Sequence, residues 1–430
     1  MNIMTSKLFI GRTNSLTSMF IWIMFNSLAT ILIWKERKVR GKPIHPACGS
    51  YLNKIDMIVR IPLSVPDLRG REAELLLGCV RDNWVSSAGP EVRAFETAMA
   101  RLTGRAHAVA TVNGTAALHL ALLAAGVRAG DRVIVPDWTF AASANAISHA
   151  GATASFVDVG EAYWALDPAL VAETLAGDPT IRAVIAVDPL GHTADLDALE
   201  AACASYGVPL IEDAAGAIGA RYRGRPSGTG GAAAIFSFNG NKTVTAGGGG
   251  MLVTDDAAMA QRVRHLSTQA RLGSEYVHDM IGFNYRMTNI NAALGLAQIE
   301  RLDEMVAARS TIAARYDGAF ADLETITPMP RPGYCDSVCW LYSVRLPDEE
   351  TARALAASCD AAHIEARLFW RPLSAQAPWQ DASRRLRGVS AGLSGTVVSL
   401  PSSSSLSEPD QQRVIDAITT WHESNVGAEA

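Results

Sequence analysis

From Ile61 onward the chain alternates short apolar runs with stretches in which apolar positions recur at helical spacing. The apolar runs predict seven strands, at His107 to Val112, Arg132 to Val135, Thr153 to Val159, Ala183 to Val187, Pro209 to Glu212, Ala233 to Phe238 and Met251 to Thr254. Helical periodicity marks Ala116 to Ala125, Ala141 to His149 and Leu196 to Tyr206 between them. Strands separated by helices give an α/β fold with one large, mainly parallel sheet. A long helical stretch from Asn291 to about Phe320 leads out of this region. Beyond it, WLYSVRL, a helix around Ala352 to Ala362 and a last helix near Pro409 to His422 suggest a smaller C-terminal α+β domain. Ser407, Pro409 and Asp410 open the final helix as a cap, a first-turn proline and an acidic partner. The expected division is an N-terminal extension over 1–57, a large domain over 58–310 and a small domain over 311–430.

The first 57 residues have another character. They carry eight Lys/Arg against two acids, a net charge of +6, whereas the whole chain has a net charge of -5, so the remainder sums to -11. Ser18 to Trp34 is uncharged and apolar, at the short end of what crosses a bilayer, and KERKVRGK follows it at once. Three readings fit: a translation start misassigned upstream of Met57, a cleaved targeting peptide, or a membrane anchor whose basic flank keeps the following domain in the cytoplasm.

With 49% hydrophobic residues and 19% charged, the body can bury a large core. Its acidic balance offers no cationic surface for nucleic-acid phosphates. The six cysteines, Cys48, Cys79, Cys203, Cys335, Cys339 and Cys359, show no paired spacing for zinc and suit reduced thiols in the cytoplasm.

Lysine usage changes the picture. The chain has lysine only at positions 7, 35, 38, 42, 54 and 242, so the body from Met57 onward uses 29 Arg and one Lys. A drift toward arginine would replace any lysine that only carries charge. A Schiff base needs a primary amine that can lose its proton, which guanidinium cannot supply. Lys242 lies just past a strand, in SFNGNKTVTAGGGG, where glycines let backbone pass close to a ligand.

Asp213 ends the apolar strand of IEDAAGAIGA. It can cap the helix that follows, or it can sit at the base of a cofactor pocket, where a carboxylate keeps the pyridine nitrogen of pyridoxal phosphate (PLP) protonated. In VNGTAALHLALLAAG a strand gives way to a helix at Gly114 and Thr115, a natural phosphate seat, and Ser237 can add a hydroxyl to it. VPDWTFAAS offers Trp138 and Phe140 as faces that could stack on a ring or simply fill core.

Two motifs are decoys. GTGGAA at Gly228 to Ala233 precedes a strand, whereas a dinucleotide fingerprint follows one, and NGNKT around Lys242 has Asn241 where a P-loop needs glycine. His119, His149 and His192 have no metal-like spacing, and the first two read as structural.

Together these motifs resemble the DegT/DnrJ/StrS-type sugar-nucleotide aminotransferases of PLP fold type I, from IPLSVPDLRGREAELLLGCVRDNWVSSAGPEVRAFE at Ile61 to LPSSSSLSEPDQQRVIDAI near the end. The resemblance implies that Lys242 carries the cofactor as a Schiff base, that Asp213 contacts the pyridine nitrogen, and that Gly114, Thr115 and Ser237 hold the phosphate. It favours Phe140 over Trp138 as the stacking aromatic. GFNYRMTNINAALGLAQIE matches a segment that crosses a homodimer in the family, so Asn284 is expected to complete the neighbouring subunit's phosphate site.

The sequence departs from the family pattern at Gly216, usually polar, at Gly248, in place of a glutamate, and at Ser374, in place of a histidine. FNGNK followed by four glycines looks most like the branch acting on UDP-linked 4-keto-6-deoxy-N-acetyl sugars, in pathways to bacillosamine or legionaminic-type sugars. The implied activity is transfer of an amino group from an amino acid, glutamate by resemblance, to a nucleotide-linked 4-keto-6-deoxy sugar. A PLP-dependent sugar dehydratase and a non-catalytic PLP-fold regulator are the alternatives. Dehydratases of the family generally place histidine where this chain has Lys242, and no DNA-binding segment supports a regulator.

Overall fold

The computed structural model describes residues 59–426, so the basic, apolar N-terminal segment lies outside the described residues. The large sheet is built from β1 (His107–Thr111), β2 (Arg132–Pro136), β3 (Thr153–Val157), β4 (Ile181–Val187), β5 (Leu210–Asp213), β6 (Ala233–Ser237) and β7 (Gly250–Thr254). An eighth strand, Ser383–Arg385, completes it in the spatial order β1-β7-β6-β5-β4-β2-β3 and then Ser383–Arg385. Only β7 runs against its neighbours β1 and β6; the other pairings are parallel.

The strands read as continuous apolar runs because both faces of the sheet are covered. On one face Val133, Val135, Ile185, Ile211 and Leu252 pack with residues of the helices α3 (Gly114–Ala124), α4 (Ala142–His149) and α7 (Ala257–Ser267). On the other, Ile134, Val184 and Leu210 meet α5 (Pro168–Gly177) and α6 (Leu196–Ala204). There too Ala110, Phe236 and Met251 meet Val92, Phe95 and Met99 of α2 (Pro90–Thr103), which follows α1 (Glu72–Arg81).

Two details differ from the sequence expectation. The sheet has eight strands rather than seven, because the polar triplet Ser383–Arg385 carries no apolar signal and is held as an edge by parallel pairing to β3. The stretch from Asn291 to Phe320 is two helices, α8 (Asn289–Ile299) and α9 (Leu302–Phe320), broken at Glu300 and Arg301 without a glycine or proline to mark it. There Arg301 turns its guanidinium onto Glu304 and onto the buried Asp67, which tethers the break to the segment ahead of α1.

A four-stranded antiparallel sheet orders Thr327–Pro328, Tyr342–Arg345, Val397–Leu400 and Arg367–Phe369. Its core joins Val344, Val398 and Leu400 to Leu355 of α10 (Glu349–Ala361), Tyr316 and Phe320 of α9, and Ile418 of α11 (Glu408–Val426). Ser407 does cap α11: its hydroxyl accepts from the Asp410 amide at 3.2 Å and donates to the Asp410 carboxylate at 2.7 Å. No helix among the described residues is long and apolar enough to cross a membrane. The described cysteines are all unpaired, with only Cys335 partly accessible.

Candidate active site

Ligands in open α/β sheets bind outside the carboxyl ends of the strands. A cavity of about 440 Å³ lies there, lined by residues that follow β1, β2, β4, β5 and β6.

Asp213 ends β5 in register between Val187 of β4 and Ile235 of β6, which fixes it at the cavity floor. Ser143 of α4 donates its hydroxyl to Asp213 Oδ2 at 2.8 Å, and the Ala215 amide reaches Oδ1 at 3.3 Å. Burial pushes the Asp213 carboxyl above the ordinary carboxylate range, against these two hydrogen bonds and the opposing charge of Lys242. A buried carboxylate with so few donors is suited to a cationic partner such as a protonated ring nitrogen.

Lys242 sits in the turn after β6, its amide donating to the Asn239 carbonyl at 3.0 Å. The Asn241 carbonyl beside it is held by Ser64 Oγ at 2.8 Å and Trp340 Nε1 at 2.7 Å. Lys242 faces the cavity, and desolvation by the surrounding protein pulls its ammonium down to about 7, opposed by Asp213. An amine in that range is a nucleophile near neutral pH.

At another wall the Asn113 side chain caps α3 by accepting from the Ala116 amide at 2.7 Å. The amides of Gly114 and Thr115, in the first turn, have no acceptor within the helix. A Cβ on Gly114 would lie 2.9 Å from Ser237 Cβ, so only glycine lets the helix start approach β6 this closely. Free amides, the helix dipole and the Ser237 hydroxyl together form a cradle for a phosphate group.

Six of the expected site residues, Lys242, Asp213, Gly114, Thr115, Phe140 and Ser237, line this one cavity. Phe140 is 63% exposed, an unusual state for a phenyl ring and one that leaves its face available to a ligand. Trp138 is only 1% exposed and packs edge-on to Trp164 and Trp370, so it is core, whereas Phe140 lines the cavity. Asn284 is not among the lining residues; it pairs with Thr268 on an exposed stretch.

Of the three departures from the family pattern, Gly216 and Gly248 line the cavity. Ser374 is buried away from it, its amide on the Asp137 carboxylate at 2.8 Å. The glycine-rich GTGGAA loop binds its own protein: Glu212 accepts from the Gly228 and Gly230 amides, and the Arg105 guanidinium holds the Gly228, Gly230 and Gly231 carbonyls. His119 is buried against Phe283 and Tyr285, and desolvation brings its pKa down to about 4, as suits a structural imidazole.

Three site residues escaped the sequence reading. Ser143 closes the TFAAS run, one helical turn past Phe140, and that spacing is its only sequence signal. Asp188, just past β4, lines the cavity, and burial together with neighbouring Glu212 favours its neutral acid. Trp340 opens the apolar WLYSVRL run and reads there as an ordinary strand residue.

The family model of the DegT/DnrJ/EryC1/StrS aminotransferases matches residues 66–419. The chain belongs to this family. It is a PLP-dependent aminotransferase of fold type I. EpsN of Bacillus subtilis, inferred to be a pyridoxal phosphate-dependent aminotransferase, is 39% identical over 84% of this chain and 95% of its own length. GDP-perosamine synthase of Caulobacter vibrioides is 38% identical over 84% of this chain and 97% of its own. The crystal structure of DesV from S. venezuelae superposes with a TM-score of 0.78 at 33% identity, covering 84% of this chain and 99% of that one. The cofactor fits the cavity, which offers a primary amine, a buried carboxylate and a phosphate cradle.

Proposed function

We propose that this aminotransferase moves an amino group from an amino acid, glutamate in the first instance, to a nucleotide-linked 4-keto-6-deoxy sugar, giving a 4-amino sugar nucleotide. The observation that carries the reading is that the body's single lysine and a buried strand-end aspartate face one cavity with a phosphate cradle. GDP-perosamine synthase among the relatives supports a sugar acceptor.

In this mechanism PLP, when bound, supplies an aldehyde and an electron-withdrawing ring. Lys242 binds it through Nζ, and once released holds and returns a proton at the carbon that gains or loses nitrogen. Asp213 holds the proton on the ring nitrogen, and Ser143 orients that carboxylate. Gly114, Thr115 and Ser237 bind the phosphate, and Phe140 covers the ring. Asn284 reaches the cradle of a second subunit in a homodimer.

The Lys242 loop favours a UDP-linked acceptor, whereas the GDP-perosamine synthase likeness favours a GDP-linked one. Purified protein loaded with PLP and glutamate, offered UDP-, GDP- and dTDP-linked keto sugars, should aminate one class, seen by mass spectrometry. Cofactor-loaded protein that aminates none of them would defeat the proposal.

A further inference from the structure

Trp340 is fixed on every side. Its Nε1 donates to the Asn241 carbonyl at 2.7 Å. Its own carbonyl accepts from Arg309 Nη1 at 2.8 Å and from Ser402 Oγ at 3.2 Å, and that arginine is 2% exposed. The next amide, Leu341, donates to the Leu190 carbonyl at 3.2 Å.

Two glycines from distant segments leave the space it fills. A Cβ on Gly216 would lie 2.6 Å from Trp340 Cε3. A Cβ on Gly191 would lie 2.4 Å from the Trp340 amide nitrogen, and Gly191 has φ +112°, which glycine alone adopts readily. What this wedge presents to the cavity is an indole face with Lys242 Nζ 3.5 Å from the ring centroid. That is well inside cation–π range.

We propose that Trp340 is the aromatic seat of the Lys242 amine: its indole face holds the protonated nitrogen over the cavity, and Gly191 and Gly216 make that position possible. The inference rests on Lys242 being the reacting amine. It gives Gly216 a role: a side chain there would push the indole off the lysine. An ammonium held against a π face keeps its proton for delivery into the cavity, whereas an aliphatic wall would desolvate the charge without compensating it. The other charged groups lining the cavity with Lys242 are Asp213, which favours the ammonium, Asp188, whose burial favours its neutral acid, and Arg367.

The test reads Lys242 itself. Full-length protein stripped of cofactor is labelled with acetic anhydride across a pH series, and modification of the Lys242 peptide is followed by mass spectrometry. Trp340→Leu should lower the labelling midpoint by about one pH unit, a roughly tenfold faster reaction at any pH below both midpoints. Trp340→Phe keeps a weaker π face but loses the Nε1 hydrogen bond, and its midpoint should stay closer to wild type than to the leucine variant. Gly216→Ala, which crowds the ring, should shift the midpoint in the same direction as leucine and stands in for it if the leucine variant does not fold.

A wild-type midpoint in the leucine and alanine variants overturns the proposal. So does a phenylalanine variant that shifts with leucine, because the effect would then belong to the lost hydrogen bond. Borohydride treatment of the PLP-loaded protein separates the two readings: absence of a pyridoxyl group at Lys242 would remove the cofactor role while leaving the labelling result to stand or fall alone.

Discussion

Lys242 must be unprotonated to attack an aldehyde, and burial brings its midpoint to about 7. Below that pH the amine is mostly ammonium and the rate of PLP uptake by cofactor-free protein should fall about tenfold per unit; above it the rate should level off. Stopped-flow absorbance against pH measures this, and a rate still climbing toward pH 10 would mean an ordinary, solvated lysine. Lys242→Arg should abolish turnover while leaving the fold intact, because guanidinium neither forms the imine nor gives up its proton. Under the proposed mechanism, in which its carboxylate keeps the ring nitrogen protonated, Asp213→Ala should lower turnover by a factor on the order of a thousand. A loss of only a few fold would point to another proton donor. Lys242 and Asp213 were legible in the sequence because Asp213 is a charged residue at the end of an apolar strand and Lys242 is the body's only lysine. Ser143 and Trp340 were not, because their roles depend on what stands opposite them: a serine and an indole read as ordinary helix and strand residues until Asp213 and Gly216 are brought beside them.

The start of α3 carries two separable demands. Asn113 caps the helix, and Asn113→Ala should destabilise the protein by about 1 kcal/mol in denaturant titration. Gly114 allows the close approach to Ser237, and its replacement by alanine forces the helix start away from β6 at a cost of about 1–3 kcal/mol. That displacement widens the phosphate cradle, so Gly114→Ala should weaken PLP binding about tenfold in equilibrium titration, whereas the cap variant should weaken it less. Equal effects on affinity would mean that helix stability, rather than the glycine contact, shapes the cradle. The central strands were readable because a sheet covered on both faces leaves uninterrupted apolar runs. Ser383–Arg385 was not, because a short polar edge strand is defined only by the neighbour it pairs with. The break between α8 and α9 was hidden for a related reason: it turns on a contact between Arg301 and Asp67, residues far apart in sequence.

At the scale of the whole molecule, one group of exposed apolar side chains lies together on the stretch over 272–281. Tyr276 is 85% and Ile281 87% exposed, with Leu272, Val277 and Met280 beside them, and the same stretch runs on to Asn284. Apolar side chains grouped on a surface are costly to expose to water and suit a contact with another protein surface. If Asn284 completes the phosphate cradle of the partner subunit, then Lys242→Ala and Asn284→Ala fail in different protomers. Each variant alone should be weak or inactive. When the two are mixed and allowed to exchange subunits, a hybrid dimer has one cavity with an intact Lys242 and, from its partner, an intact Asn284. Random exchange makes about half the dimers hybrid with one good site of two, so activity should recover to about a quarter of wild type. Activity that does not rise on mixing, in a sample shown by native mass spectrometry to contain hybrids, would confine Asn284 to its own subunit and leave each cavity self-sufficient.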